Sequence, residues 1–206
     1  MLNRLLNAAT AWYLRRGLRA YHQYPADKTA VIFIDVQQAF ITPEPDLAES
    51  LASLALLARS RGFLVIHASM EVYSQASFPT PAHREIERAL SSWPDSAHIA
   101  SAVDPSPSDI VLPSRTTLSI FGRPEVDALI EAHGLEHLIL AGPLADLTLD
   151  SSLRDAVQRD LHVTVVRDCI AASSQAALEL EIRYTLPRYA HLVTDIENLG
   201  RLSGAR

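Results

Sequence analysis

The sequence predicts a three-layer α/β fold built on a six-stranded, mainly parallel sheet. Three observations point there. Short apolar runs recur along the body of the chain, helical patterns separate them, and the first run is apolar almost throughout rather than alternating. Strands buried on both faces read as continuous hydrophobic runs, whereas a sheet with one wet face alternates. Strand–helix–strand order argues for parallel pairing, because each parallel crossover needs a connection long enough to hold a helix.

Residues 29–35 form the first predicted strand, rich in β-branched residues. Residues 46–61 read as a helix, 63–68 as the second strand and 109–112 as the third. Residues 125–133 are helical, and Gly134 supplies the stop. The fourth strand spans 137–141, a helix 147–159, the fifth strand 162–167, a helix 174–185 and a short sixth strand 191–194. Residues 71–108 fit this rhythm poorly, carrying Pro79, Pro81, Pro94, Pro105 and Pro107. That stretch is either a surface excursion or a loop covering a pocket.

A chain of 206 residues with 48% hydrophobic and 20% charged residues suits one globular domain. A net charge of −6 gives no electrostatic reason to expect nucleic acid. The single cysteine, Cys169, excludes an intrachain disulfide and fits a reducing, cytoplasmic setting. No apolar run reaches the roughly 18–20 residues of a membrane span. Residues 1–26 are set apart as an N-terminal helical extension to the domain at 27–206. They hold Arg4, Arg15, Arg16 and Arg19 and no acid, and Leu2, Leu5, Leu6, Ala9, Trp12 and Tyr13 share one helical face. A transit peptide, a membrane-surface helix and a helix packed on its own domain or a second subunit all fit. Arg16 interrupts the apolar face, which favours the packed helix.

Ligands of open parallel sheets bind at the carboxyl ends of the strands, where strand order reverses. That rule selects three segments. The first strand ends in Asp35, followed by Val36, Gln37, Gln38, Ala39 and Phe40. A carboxylate there is either a cap or loop acceptor, or a general acid or base. The third strand leads into Arg115 and on to Ser119, Ile120 and Phe121. Arg115 is either a solvated charge or a cation facing Asp35. The fourth strand runs into Gly142, Pro143, Leu144, Ala145, Asp146, Leu147 and Thr148, where first-turn amides could hold an anion.

Together these segments resemble the isochorismatase-like (cysteine hydrolase) superfamily. Asp35-Val36-Gln37-Gln38-Ala39-Phe40 stands where the family has D-x-Q-x-D-F. Ser119-Ile120-Phe121 occupies its S-A-F, and six residues before Phe121, at the family's lysine, stands Arg115. Residues 142–156 follow its third motif, with Gly142, Asp155 and Ala156 matching, Ser152 on a threonine and Thr148 on the catalytic cysteine. The resemblance covers about residues 28–196. It implies a Rossmann-like sheet, a homo-oligomer (dimer or tetramer), a small-molecule substrate and no cofactor. It places catalytic roles at Asp35, Arg115 and Thr148, with Gln37, Phe40, Phe121, Leu144, Ala145 and Leu147 as substrate contacts. The metal-binding pattern of related nicotinamidases is not met by Asp46 and His67, so no metal is expected; His67 reads as a core or pocket-wall residue.

The departures define two functional readings. A threonine hydroxyl is a far weaker nucleophile than a thiolate and needs strong activation. Arginine keeps a positive charge but does not share its proton, and it either pairs Asp35 bidentately or grips a substrate carboxylate. Pairing would make Asp35 a weaker general acid. Cys169, expected just after the fifth strand, is more naturally an inert buried thiol than a substitute nucleophile. One reading is therefore a hydrolase acting on a small carboxylate, amide or ether by acid/base chemistry at Asp35. The other is a pseudoenzyme that binds a small molecule or serves as an interaction module.

Overall fold

The structure, a computed structural model, describes residues 24–72 and 79–204. The predicted N-terminal helix lies outside the described residues, apart from its last few positions. Six parallel strands are present: β1 (Thr29–Ile34), β2 (Leu64–Ala68), β3 (Ile110–Val111), β4 (His137–Gly142), β5 (His162–Ile170) and β6 (Leu192–Thr194). Their order is β3-β2-β1-β4-β5-β6. All pairs are parallel, so the sheet is wholly rather than mainly so. The chain winds outward from β1 to β3 on one side and from β4 to β6 on the other. Strand order therefore reverses between β1 and β4.

Helices cover both faces. In chain order they are α1 (Gln38–Ile41), α2 (Pro45–Ser60), α3 (Pro81–Leu90), α4 (Pro124–His133), α5 (Asp150–Gln158), α6 (Gln175–Leu180), α7 (Leu186–Tyr189) and α8 (Ile196–Gly204). Every residue of β1 is buried, as the unbroken apolar run requires. Its side chains still alternate between layers. Ala30, Ile32 and Ile34 join one core with Val126 of α4, Leu153 of α5 and Leu186 of α7. Val31 and Phe33 join the other core with Leu47, Leu51, Leu54, Ala55 and Ala58 of α2. Those α2 positions recur at three- and four-residue spacing, the stripe an amphipathic helix buries. Pro45 opens α2 at a position where a missing amide costs nothing. Gly134 ends α4 with φ 57°, the left-handed cap that glycine adopts most readily.

Several boundaries differ from the sequence reading for local reasons. Within residues 71–108 a helix, α3, starts at a Thr80 cap with Pro81 in its first turn. Its Ile86 and Leu90 pack on Met70. The prolines that suggested loop are start signals here. Residues 96–100 then return to the end of β1: Gln38 N donates to His98 O, Ala39 N to Ser96 O and Ala100 N to Val36 O. The excursion is thus partly a cover over the β1 end. The helix expected over 174–185 continues to Tyr189 through a widened turn at Glu181–Thr185. Pro187, which cannot donate to a regular turn, follows that widening. Strand β5 runs on to Ile170, so Cys169 lies inside it rather than after it. Helix α8 had no counterpart in the sequence reading.

One glycine is fixed by close approach. A Cβ on Gly142 would lie 2.1 Å from the Ile34 carbonyl oxygen. Only a residue without a side chain lets β4 pass the end of β1 at this separation.

His67 is 1% exposed, stacks on Phe33 with ring centroids 5.5 Å apart, and lies 3.3 Å from Asp109 through Nε2. Burial pushes its pKa below the ordinary imidazole value, against the opposing pull of Asp109. Burial also lowers His191. The unfolded chain, with histidines near pKa 6.5, then binds protons more readily than the folded one. Stability is accordingly full above that value and falls as pH drops through it. Urea unfolding midpoints measured from pH 8 to pH 5.5 should decline, and His67→Gln should flatten the decline. Asp109 acts in a lower window: burial alone would raise its carboxyl, but hydrogen bonds from Arg59, Ser106 and His67 outweigh it and lower it.

Candidate functional site

The reversal of strand order sets Asp35 and Gly142 side by side at the carboxyl end of the sheet. Asp35 leaves β1 with φ 54°, a left-handed conformation uncommon for any residue but glycine and most tolerated by Asn and Asp. Its amide donates to Ala68 O at 2.9 Å, and its carbonyl accepts from Gln37 N at 2.8 Å. This turn stops the strand and sends the following chain under residues 96–100.

Arg115 reaches the same point from the other side. The chain beyond β3 runs along the end of β2: Arg115 N donates to Ser69 O at 3.0 Å, and Glu71 N donates to Arg115 O at 2.9 Å. That pairing sets the guanidinium over β1. Its two terminal nitrogens each donate to a different Asp35 carboxylate oxygen, both at 2.8 Å. Further donations go to Ala68 O at 3.1 Å and Leu118 O at 3.4 Å. Arg115 is 2% exposed and Asp35 0%. Of the two roles open to Arg115, the structure has the bidentate pair. Taking both ions out of water is costly, and the fork with its two carbonyl acceptors offsets that cost.

Thr148 is fully buried in the widened first turn at Ala145–Leu149. Its Oγ1 has no hydrogen-bond partner among the described residues. No hydrogen bond joins it to Asp35 or Arg115, so only two of the three predicted catalytic positions are hydrogen-bonded to each other. The Thr148 carbonyl accepts from Ser152 Oγ at 2.6 Å, and that hydroxyl accepts from Ile120 N at 3.1 Å. Ser152 thereby ties the start of α5 to the segment that carries Arg115. The sequence marked it only as a motif position. The Pro143–Leu144 peptide is not cis.

The predicted substrate contacts divide. Gln37 is buried, with its amide given to the backbone: Nε2 donates to Met70 O at 2.9 Å and Ala97 O at 2.6 Å, and Oε1 accepts from Met70 N at 3.1 Å. It braces two loops. Phe121 lies in the core with the Arg159 guanidinium 4.3 Å over its ring. Ala145 is buried, and its amide is taken by Ala171 O at 2.8 Å. Asp146 accepts from the Ser173 amide and hydroxyl. A carboxylate at the head of this turn opposes anion binding there. Phe40, Leu144 and Leu147 do line an open cleft, of about 200 Å³, together with Ile86, Ala89 and Ala172. The α3 contribution was not foreseen, although Ile86 and Leu90 sit one helical turn apart.

Cys169 is buried, its Sγ 3.4 Å from the Ser50 carbonyl oxygen. Burial pushes its thiol far up, with Asp168 adding to the effect. It is no thiolate at neutral pH. Among the described residues no three His, Cys, Asp or Glu side chains converge as a metal site, and no helix is long and apolar enough to cross a membrane.

The fork geometry predicts how Arg115→Lys behaves. Lysine keeps the charge but cannot make two parallel bonds to one carboxylate. Its unfolding free energy should fall by about 1–3 kcal/mol, the worth of a lost charge-assisted bond. Chemical denaturation with an unchanged m-value would measure it.

Comparison with known proteins supplies the family. Residues 29–197 match the isochorismatase domain. Maleamate amidohydrolase of Pseudomonas putida is 26% identical over 179 residues, covering 81% of this chain and 83% of that protein. A cysteine hydrolase from Pseudomonas syringae pv. phaseolicola superposes with a TM-score of 0.72 at 19% identity, over 87% of this chain and 95% of the other. N-carbamoylsarcosine amidase from Thermoplasma acidophilum does so with a TM-score of 0.66 at 22% identity, over 82% and 96%. The isochorismatase domain match spans most of the chain, and the chain belongs to the isochorismatase family.

Proposed function

We propose that this chain binds a small molecule in the cleft at the switch point and does not process it by a covalent cysteine route. The proposal takes Arg115 and Thr148 to stand at the family's lysine and cysteine positions. One observation carries it: Asp35 and Arg115 spend their facing atoms on each other while both are buried. A carboxylate engaged through both oxygens has little capacity left to shuttle a proton, and a guanidinium stays protonated throughout. Thr148 offers an alcohol with no base hydrogen-bonded to it among the described residues, and an alcohol without a base is a poor nucleophile. Cys169 is buried with a raised pKa. The cleft itself is apolar in most of its lining, which suits burial of a small ligand.

A second reading, hydrolysis or ether cleavage by acid/base chemistry at Asp35, is favoured by the left-handed backbone of that residue. Such conformations in non-glycine residues gather at functional sites. In that reading Arg115 would release one Asp35 oxygen on substrate entry and anchor a substrate carboxylate.

Turnover separates the two. The wild-type chain should leave p-nitrophenyl acetate, simple amides and vinyl ethers at the buffer rate. Arg115→Lys combined with Thr148→Cys should gain esterase activity with a stoichiometric burst, the mark of an acyl-enzyme. Wild-type turnover that Asp35→Asn abolishes, with the variant still folded by circular dichroism, would overturn the binding reading in favour of the second.

A further inference from the structure

The cleft carries a charge pattern unlike that of a carboxylate site. Its apolar lining includes Phe40, Ile86, Leu144 and Leu147, and its edge carries Glu44 and Glu85. The two carboxylates come from separate elements: Glu44 precedes α2 and Glu85 belongs to α3. Both are exposed. Neither side chain has a hydrogen-bond or ion-pair partner among the described residues. A neighbouring hollow of about 490 Å³ shares Glu44, Ala171, Ala172 and Ser173 with the cleft and adds Asp46 and Asp168. Among the described residues no Lys, Arg or His lines either space. Arg84 and Arg88 lie on α3 but outside both linings. Arg115, which lies outside both linings, is paired with Asp35. Among the described residues an anionic ligand would therefore meet carboxylates and no lining cation, while an ammonium group would meet complementary charge and an aromatic side chain.

We propose that the cleft selects an organic cation, an apolar body carrying an ammonium group, with Glu44 and Glu85 at the charge and Phe40 beside it. This rests on the reading of the cleft as the binding site. The apolar body would fill the space between Ile86, Leu144 and Leu147, displacing water from the walls. The ammonium would stay at the edge, partly solvated, where carboxylates and an aromatic ring each add a modest attraction. Selectivity of this kind weakens with salt, because the two glutamates are exposed.

Isothermal titration of the whole chain with benzylamine, benzyl alcohol and benzoate tests it. Benzylamine should bind about five- to tenfold tighter than benzyl alcohol, with benzoate weakest. Glu44→Gln with Glu85→Gln should bring amine and alcohol within about twofold of each other while leaving the alcohol's affinity in place. Glu131→Gln with Glu197→Gln, which removes the same net charge elsewhere, should keep the preference. Equal binding of amine and alcohol to the wild type, a benzoate preference, or an amine preference that survives loss of Glu44 and Glu85 would overturn the cation assignment and leave the binding site standing. Binding of none of the three would overturn both.

Discussion

Two opposite charges share one interior position at the reversal of the sheet, and much of the surrounding backbone serves to keep them there. Asp35 can enter the interior because Arg115 meets both its oxygens, and the two terminal Arg115 nitrogens also donate to the carbonyls of Ala68 and Leu118, while its buried Nε has no partner among the described residues. Either charge alone at that depth would cost several kcal/mol. The pair therefore constrains three separate chain segments at once: the end of β1, the end of β2 and the run between β3 and α4. Gln37 and Ser152 extend the same bracing to the loops on either side.

This arrangement bears directly on chemistry. A lysine at the cationic position would offer one ammonium to one oxygen and leave the other free to exchange a proton. A guanidinium fork takes both. The proposed binding cleft has apolar walls with Glu44 and Glu85 in its lining, and neither Asp35 nor Arg115 is among its lining residues, so on our proposal its selectivity rests on shape and on those carboxylates. The family relation accords with the architecture. On our proposal, what happens in the site depends on Arg115 and Thr148, read as replacements for the family's lysine and cysteine.

Much of the architecture was legible in the sequence because burial on both faces leaves a plain mark. The unbroken run of β1, the three- and four-residue stripe of α2 and the Gly134 stop all read directly. The left-handed turn at Asp35 and the close pass of Gly142 over Ile34 did not, since both depend on two strands meeting. Helix α3 was hidden by prolines that act as start signals. Phe121 shared a motif with Arg115 yet packs into the core beside Ile120 rather than lining the cleft. The pairing of Asp35 with Arg115 was one of two alternatives that the sequence left open, and choosing between them required the register of the chain beyond β3. Glu44 and Glu85 were not singled out, for they converge only once α2 and α3 are in place.

A double-mutant cycle on Asp35→Asn and Arg115→Met, read by urea unfolding, tests the central claim most directly. If the two charges are each other's principal partners, each single variant should lose about 3–5 kcal/mol, the cost of stranding a buried charge or its neutral stump. The double variant should then lose much less than their sum, with a coupling of about 2–3 kcal/mol. Additive losses, with coupling under about 0.5 kcal/mol, would contradict the account and leave Asp35 free for other work.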